Sequence, residues 1–473
     1  MMRILATALA AVPLYLFALL ICMPVQAQNR ASDRRAWTDP TTPVSDDPRR
    51  VPVAPGPHGP EGSLVLQGGR LFDGTGSAAR LATVVIEHNR ITAVLPAGVT
   101  QWPANARVID VTGKTVMPGL IDLHTHLTAT EPNTSDQTYE GESAALRGME
   151  RLRFYIESGI TSVRDVSSVG YVPFRLKQWV AENRIPGPRV FAAGQMITGT
   201  GGHVSEYLAE GCCTSRANST VREASGADDW REAVREQFKR GADLIKLASH
   251  YTREEVTAAV DEAHVLGLKV AVDAETFYIQ WAVEAGADSI EHPLPRTDET
   301  IQLMARKGTA SVPTLVPFIY IFDLEGGYYG SSSRRFTFSK ESNLEMFKRM
   351  KQAGVRMGVG TDLVENWFRF LPQSYITELK QFAAGGYTIP AALVAATRTN
   401  AQILGMDDKL GTLEVGKLAD VAVIDGRPDE SLDDIAKVLI VIRDGHVVVE
   451  NGGVVIPRHV PQPEPKPTAP REK

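Results

Sequence analysis

The sequence predicts an α/β protein, a (β/α)8 TIM barrel with a small composite β-sandwich domain formed from both chain ends. Eight short apolar segments alternate with amphipathic helical segments in the middle of the chain. Strand-rich segments precede and follow this middle part. An open, doubly wound parallel sheet is the alternative, but the chain lacks the glycine-rich phosphate-binding fingerprint that would favour that fold.

The N-terminal segment, residues 1–27, has the features of a secretory signal peptide. Arg3 precedes an apolar run from Ile4 to Ile21, and small residues occupy the positions expected before a cleavage site after Ala27. We therefore predict a cleaved signal, a secreted or periplasmic location, and no stable membrane insertion of the mature chain. An uncleaved membrane anchor is the alternative because the apolar run is nearly long enough to span a bilayer.

The rest of the chain divides into a linker, two parts of a sandwich, a barrel and a tail. Residues 28–61 are rich in proline and charged residues, which predicts a flexible linker. The two parts of the β-sandwich are predicted at residues 62–115 and 406–459, with the barrel domain between them at residues 116–405. Residues 460–473 are again rich in proline and charge and predict a disordered tail.

Each barrel strand is recognised as a short apolar, β-branched run that a helical segment follows. The eight predicted strands cover residues 116–126, 161–166, 189–197, 244–249, 269–275, 289–293, 309–315 and 356–363. Helical segments such as 142–159, 228–241 and 253–267 end in glycine, the residue most common just beyond a helix. The joints at 240–246 and 285–291 repeat one pattern of helix end, tight turn and buried strand, which is typical of βα units.

Charge and cysteine content exclude some classes of function. The net charge is −6 and no basic segment stands out, so nucleic acid is not an expected partner. Of the three cysteines, Cys22 leaves with the signal peptide, while Cys212 and Cys213 are adjacent. These two could form a strained vicinal disulfide or remain free thiols. Because no CxxC spacing is present, cysteine-ligated zinc is not expected.

A pair of histidines gives the first indication of chemistry. His124 and His126 close the first predicted barrel strand. Side chains two residues apart on a strand point the same way, so the two imidazoles face one point. Imidazole is a ligand that suits zinc and similar ions. The position is also significant because catalytic residues of such barrels stand at the C-terminal ends of strands.

Three further polar residues end later strands. Lys246, His292 and Asp362 close the predicted strands four, six and eight. Each has a purely structural alternative: a lysine that reaches to solvent, a histidine in a turn, and an aspartate that caps a helix. Their joint occurrence at matching strand ends favours a metal site over these separate explanations.

These motifs together resemble a known family. The segment Pro118-Gly-Leu-Ile-Asp-Leu-His-Thr-His126 is similar to the signature of the amidohydrolase superfamily. Its imidazolonepropionase-like branch, which includes Xaa-Pro dipeptidases and ochratoxin-type amidases, is resembled by Thr200-Gly-Gly-His203, Gly241-Ala-Asp-Leu-Ile-Lys246, Ser289-Ile-Glu-His292 and Gly360-Thr-Asp362. The similarity spans roughly Ser63 to Val455, including the split sandwich.

The resemblance implies a divalent metal cofactor, with zinc as the expected ion and one or two ions per chain. His124, His126 and Asp362 are implied as ligands of the first ion, and His292 as a ligand of the second. In a binuclear site Lys246 would be carboxylated and would bridge both ions. A metal-activated hydroxide would then attack the substrate, with Asp362 as general base that returns the proton to the leaving nitrogen.

One position departs from the pattern of the branch, which places a histidine ligand at the end of strand five. Asp273 stands there, and a carboxylate can replace the imidazole as a ligand. A single-metal enzyme and a catalytically inactive relative are the alternatives. Glu275 points to the same side of the strand and could substitute. His203 is expected to contact the substrate, with a packing role in its glycine loop as the alternative.

The resemblance implies hydrolysis of a C–N amide bond in a small molecule, with Xaa-Pro-like dipeptides or N-acyl amino acids as substrates. Ring-opening of a cyclic amide or imidazolone is one alternative, and a non-catalytic periplasmic metal- or ligand-binding relative is another. Homo-oligomerisation is left open.

Arg164-Asp165 at the end of strand two is expected to be a structural ion pair, with contact to a substrate carboxylate as the alternative. Phe318 and Tyr320 could line a substrate pocket or pack on the barrel.

Overall fold

The computed structural model describes four stretches of the chain, residues 59–129, 141–205, 219–327 and 338–455. The predicted signal peptide, nearly all of the predicted linker, Cys212, Cys213 and the predicted tail lie outside these stretches. Within the four stretches, no helix combines the length and the apolar character that crossing a membrane requires.

The secondary structure confirms an α/β chain. The strands are β1 (Ser63–Leu71), β2 (Arg80–Glu87), β3 (Arg90–Pro96), β4 (Arg107–Asp110), β5 (Thr115–Pro118), β6 (Leu120–Thr125), β7 (Ile160–Asp165), β8 (Arg189–Ala192), β9 (Met196–Gly199), β10 (Val221–Ala224), β11 (Leu244–Ala248), β12 (Lys269–Asp273), β13 (Ser289–Glu291), β14 (Ala310–Val312), β15 (Val421–Ile424), β16 (Val438–Arg443), β17 (His446–Glu450) and β18 (Gly453–Val454). The α-helices are α1 (Gly141–Glu157), α2 (Val172–Ala181), α3 (Ala227–Arg240), α4 (Arg253–Val265), α5 (Thr276–Ala285), α6 (Asp298–Lys307), α7 (Leu315–Asp323), α8 (Lys340–Gln352), α9 (Gln373–Ala384), α10 (Ile389–Val394) and α11 (Asn400–Leu404). Short 3₁₀ helices cover Glu365–Phe370 and Leu432–Ala436, and a π-helical turn covers Ala395–Thr399.

One sheet contains strands from both ends of the described chain. Its strand order is β18-β17-β16-β15-β5-β1-β2-β3, and β4 pairs with β1. The join between the two ends is the antiparallel pair of β5 and β15, in which Thr115 lies opposite Ile424 and Pro118 lies opposite Val421. Buried apolar side chains such as Leu66 form its core. The hydrogen bonds define a single sheet, so the two-sheet sandwich remains a prediction.

The parallel strands that follow form two ladders, β6-β7-β8 and β10-β9-β11-β12-β13-β14. The predicted third barrel strand is split between them, since β8 pairs with β7 whereas β9 pairs with β11. The break falls at Gly194, whose φ of +78° belongs to the left-handed region that glycine adopts without strain. A Cβ at Gly194 would also lie 2.6 Å from Oε1 of Gln237. β10 is an additional strand that the sequence pattern did not predict.

The predicted eighth strand is not a regular strand. Residues 356–363 instead form isolated parallel bridges on both sides, Met357 with Ser311 of β14 and Leu363 with Thr125 of β6. This segment therefore lies between the last and the first parallel strands. The regular ladders do not close into one sheet, and a closed barrel remains a prediction.

Several helices between the parallel strands end as the glycine pattern predicts. Gly241 beyond α3 and Gly286 beyond α5 adopt left-handed φ values of +106° and +105°. At the other end of a helix, Thr252 and Glu255 form a capping box that satisfies the first amide groups of α4. These caps fix the start of α4 and the ends of α3 and α5, and so the glycines fix where β11 and β13 begin.

Glu378 is a buried carboxyl group on α9. Its Oε2 accepts a hydrogen bond of 2.8 Å from the backbone N–H of Val316 in the first turn of α7. Burial raises the pKa of Glu378 to about 8, from an ordinary value of 4.5. The folded chain therefore holds this proton over a pH range in which the unfolded chain releases it. The stabilisation is complete below pH 4.5 and is lost as the pH rises through about 8.

We expect Glu378→Gln to remove this part of the pH dependence of stability. In the metal-free parent, the free energy of unfolding should fall by roughly 3–5 kcal/mol between pH 5 and pH 9 from this group alone. Glutamine keeps an acceptor oxygen for Val316 and carries no ionisable proton. Denaturant unfolding of both proteins across this range, with chelator present, measures the difference. Parallel pH curves for the two proteins would show that Glu378 does not titrate there.

Candidate metal centre

The C-terminal end of β6 presents two histidines. The side chain of His124 is fully buried, that of His126 is partly exposed, and their ring centroids are 5.3 Å apart. Asp122 holds this strand end to the eighth segment, because its Oδ1 accepts 3.0 Å hydrogen bonds from the backbone N–H groups of His124 and Thr361. Gly360 allows this close approach, since a Cβ there would lie 2.9 Å from the backbone nitrogen of His124.

Asp362 meets both histidines. Its Oδ1 lies 3.1 Å from Nε2 of His126 and 3.4 Å from Nε2 of His124. The ligand atoms of these three residues all lie within 4.8 Å of one another, a grouping that could hold a metal ion. Two imidazole nitrogens and one carboxylate oxygen are donors that suit zinc and similar cations. We call His124, His126 and Asp362 the first triad.

Glu291 fixes the orientation of His124. Oε2 of Glu291 lies 2.7 Å from Nδ1 of His124, and this carboxylate also accepts two 2.8 Å hydrogen bonds from Arg164. A carboxylate only accepts, so Nδ1 of His124 carries the proton. Burial, with the neighbouring Lys246, holds the pKa of His124 well below its usual value. His124 is therefore neutral, and its unprotonated Nε2 faces Nζ of Lys246 at 3.4 Å.

Arg164 has a structural partner other than the one predicted. The expected ion pair of Arg164 with Asp165 is wrong, since Arg164 pairs with Glu291 and Oδ1 of Asp165 accepts a 3.1 Å hydrogen bond from the backbone of Leu127. Adjacent residues on a strand point to opposite faces, and this alternation separates the two side chains. Burial raises the pKa of Asp165 to about 6.

Lys246 on β11 lies beside the first triad. Its side chain is buried, and its Nζ is 3.4 Å from Nε2 of His124. Burial lowers the pKa of Lys246, although the carboxylates of Asp273, Glu291 and Asp362 act in the opposite direction. A lysine in this environment is closer to its neutral, nucleophilic form than an exposed lysine is.

Asp273 lies between two further histidines. Its Oδ2 is 3.2 Å from Nε2 of His292 and 3.2 Å from Nε2 of His203. We call His203, Asp273 and His292 the second cluster. Burial raises the pKa of Asp273, but the two facing histidines outweigh burial and hold it well below its usual value. The pKa of His292 is raised because Asp273 outweighs the lowering effect of burial.

Three residues of this region have strained backbones. His292, Thr314 and Asp362 adopt positive φ values of +61°, +45° and +49° although none is glycine. Such conformations cost on the order of 1–3 kcal/mol each and persist only where surrounding contacts enforce them. They occur where strands β13 and β14 and the eighth segment end, so the strain directs side chains to one place. Nδ1 of His292, for example, lies 2.7 Å from Oγ1 of Thr314.

The structure thus brings the first triad, Lys246 and the second cluster, which are the predicted site residues, close to one another. Asp362 also connects the two groups, since its Oδ2 lies 3.8 Å from Nδ1 of His292. Glu275, the predicted substitute for Asp273, accepts a 2.9 Å hydrogen bond from Oγ of Ser249. Sequence reasoning missed Glu291 and Thr314. The only signal for Glu291 was its position next to His292, and nothing in the sequence pattern indicated Thr314.

The aromatic residues after β14 pack against the site and against each other. The ring of Phe318 lies 6.1 Å from that of His292 and 5.1 Å from that of Phe338. The hydroxyl of Tyr320 lies 2.8 Å from Oγ of Ser374. Phe318 is almost fully buried, so packing accounts for its present contacts. A role in binding a substrate stays a prediction.

An α/β fold whose parallel strands, and the segments just beyond them, carry clustered histidine, aspartate and lysine side chains is typical of a metal-binding enzyme. The particular family follows from comparison with known proteins. Residues 115–448 match the amidohydrolase family, and the chain belongs to this family. The resemblance inferred from the sequence motifs is therefore confirmed.

Individual relatives agree with this assignment. The chain is 26% identical over 406 residues to an ochratoxinase from Aspergillus niger, covering 78% of this chain and 82% of that protein. It is 28% identical over 363 residues to an imidazolonepropionase from Rhizorhabdus wittichii, covering 69% and 84%. A solved prolidase complexed with N-methylphosphonate-L-proline superposes with a TM-score of 0.74 at 32% identity, covering 82% of this chain and all of that chain. The predicted imidazolonepropionase-like and dipeptidase-like branch is confirmed by these matches.

Proposed function

We propose that the chain hydrolyses C–N amide bonds of small molecules with the help of a divalent metal ion, expected to be zinc. The observation that carries the proposal is the convergence of the first triad, whose ligand atoms lie within 4.8 Å of one another next to the buried Lys246. Such a donor set at strand ends suits a catalytic metal better than a structural role. Membership of the amidohydrolase family supports the same reading.

The residues present fit one or two cations. The first triad would hold the first, and Asp273 and His292 would contribute to a second. Lys246 would bridge them after carboxylation, in which its neutral amine attacks CO2, forms an N–C bond and loses one proton to give an anionic carbamate. Its buried position and lowered pKa favour the neutral amine that this step needs.

Asp362 would move the proton in the reaction. When bound, a divalent cation supplies Lewis acidity and brings the pKa of a water toward neutrality. Burial raises the pKa of Asp362, but the facing histidines of the site lower it overall, so Asp362 is ionised at neutral pH. Its carboxylate would accept a proton as water adds to the amide carbon, and return it to the nitrogen as the C–N bond breaks.

The proposed substrates are Xaa-Pro-like dipeptides or N-acyl amino acids with a free carboxylate. The support is the prolidase at 32% identity, which was solved with a proline derivative bound. The imidazolonepropionase matches favour a second candidate, ring-opening hydrolysis of a cyclic amide or imidazolone.

A library of dipeptides, N-acyl amino acids and cyclic amides, assayed with added zinc or manganese, tests this proposal. We expect turnover of linear amides, its loss when a chelator removes the metal, and its return when zinc or manganese is added back. Turnover confined to cyclic amides would select the second candidate. Bound metal without any turnover would instead support a non-catalytic metal- or ligand-binding relative, and turnover by metal-free protein would exclude the proposed mechanism.

The location and partners are also proposals. The apolar segment before Ala27 supports export to the periplasm or the exterior, with the signal removed and no stable membrane insertion. The net charge of −6 supports a small-molecule amide partner rather than nucleic acid. A homo-oligomer is compatible with a barrel of this size.

A further inference from the structure

The second cluster is largely buried. The side chains of Asp273, His292 and His203 are 3%, 9% and 16% exposed. One oxygen, Oδ2 of Asp273, is approached by both imidazoles at the same distance of 3.2 Å. Two imidazole nitrogens around one carboxylate oxygen form a donor set that can bind a cation as well as a hydrogen-bonded network.

Both histidines are held from outside the cluster. Nδ1 of His292 lies 2.7 Å from Oγ1 of Thr314, which turns Nε2 toward Asp273. The backbone N–H of His203 donates a 2.8 Å hydrogen bond to the carbonyl of Ser249. Gly202 makes this approach possible, because a Cβ there would lie 2.6 Å from the same carbonyl oxygen. The glycine loop therefore has a specific function: it packs against β11 and brings His203 to the cluster.

The other oxygen of Asp273 has no hydrogen-bond partner. Within the described part of the chain, Oδ1 of Asp273 is buried and makes no hydrogen bond. A buried carboxylate oxygen without a partner costs free energy, unless a cation or another donor satisfies it. The unpartnered Oδ1 of Asp273 is a second, independent indication that the cluster accommodates a positive charge.

We propose that His203 is a ligand of the second divalent cation and completes, with Asp273 and His292, the position that lacks the strand-five histidine. An imidazole from the loop after β9 would thus offset the shorter reach of the aspartate. This inference rests on the proposed function, because it assumes a first cation held by the first triad. It gives His203 a role different from the substrate contact that the sequence predicted.

Zinc stoichiometry of the full chain tests the inference without relying on activity. The protein is stripped with a chelator, titrated with Zn²⁺ against a chromophoric competitor, and analysed for metal content. We expect about two zinc ions per chain in the parent and about one in His203→Gln. The affinity for the second zinc ion should fall by more than about 10–100-fold in this variant. A loss of about 10–100-fold is typical when the removed group only supports a metal ligand. As a control, His250→Gln replaces an exposed histidine just beyond β11. This variant should keep both zinc ions.

The zinc counts distinguish failure of this inference from failure of the proposed function. A parent with two ions and a His203→Gln variant that also binds two with unchanged affinity would overturn the inference and leave the first metal position intact. A parent that binds a single zinc ion would also overturn the inference and leave the first metal position intact. A parent without any bound zinc would overturn the proposed function as well. Asp273→His should bind two zinc ions like the parent, since it exchanges one ligand for another. If the parent binds one ion and Asp273→His binds two, Asp273 is not a ligand.

Discussion

Asp362→Asn is expected to lower kcat/KM for the best amide substrate by about 10³-fold or more. The substitution removes the anionic oxygen that faces His124 and His126, and with it both a metal ligand and the proposed proton acceptor. Folding should be preserved, because asparagine tolerates the left-handed φ of +49° at this position as well as aspartate does. The zinc content of the first position should fall together with activity.

A matched control separates this effect from general damage. Asp408→Asn makes the same chemical change on the surface, where the carboxylate is 69% exposed and lies 3.8 Å from Lys409. This variant should retain the kinetics, zinc content and thermal stability of the parent. If Asp362→Asn kept activity within tenfold of the parent, Asp362 could not be the group that moves the proton.

Glu291→Gln should destabilise the metal-free protein by roughly 3–5 kcal/mol and weaken zinc binding by about 10–100-fold. The stability effect arises because Arg164, which is 4% exposed, loses the carboxylate that it contacts through two hydrogen bonds. The binding effect arises because glutamine offers one neutral acceptor oxygen in place of two anionic ones. Arg164 and Nδ1 of His124 then compete for that oxygen, and the proton is held less firmly on Nδ1. Denaturant unfolding and zinc titration measure the two effects separately.

A double variant distinguishes these two consequences. Arg164→Leu combined with Glu291→Leu removes both charges, so the free energy of unfolding should recover toward that of the parent. Zinc affinity should stay low, since a leucine at position 291 cannot accept the hydrogen bond from Nδ1 of His124. As a surface reference, Glu284→Gln breaks an ion pair with Arg253 that is partly exposed and should cost less than about 1 kcal/mol. Unchanged zinc affinity in Glu291→Gln would contradict the orienting role of Glu291.

The sequence predicted most of the parallel strands, because strand alternation and glycine-terminated helices are local signals. His124 and His126 follow from a spacing of two on a strand, and Lys246 and His292 from their places at the ends of apolar runs. Glycine at positions 241 and 286 was sufficient to locate the helix ends. Each of these inferences needed only the residues within one segment.

The contacts that the sequence did not reveal all depend on other segments. The pairing of Arg164 with Glu291 joins two strands that are far apart in the chain. Strand alternation would also place Glu291 and His292 on opposite faces, yet both reach the site because the backbone of His292 is left-handed. The split of the third strand at Gly194 and the irregular eighth segment depend in the same way on neighbours that a linear pattern does not contain.

The pairing of β5 with β15 has a consequence for the order in which the molecule can be made. Thr115 and Ile424 are neighbours in the sheet, but some 300 residues of chain are synthesised between them. As the ribosome works from the N-terminus, one edge of the first-made strands stays open until the last part of the polypeptide emerges. A chain that stops before Val421 leaves this edge available to another molecule, so premature termination should yield aggregates rather than a shortened enzyme.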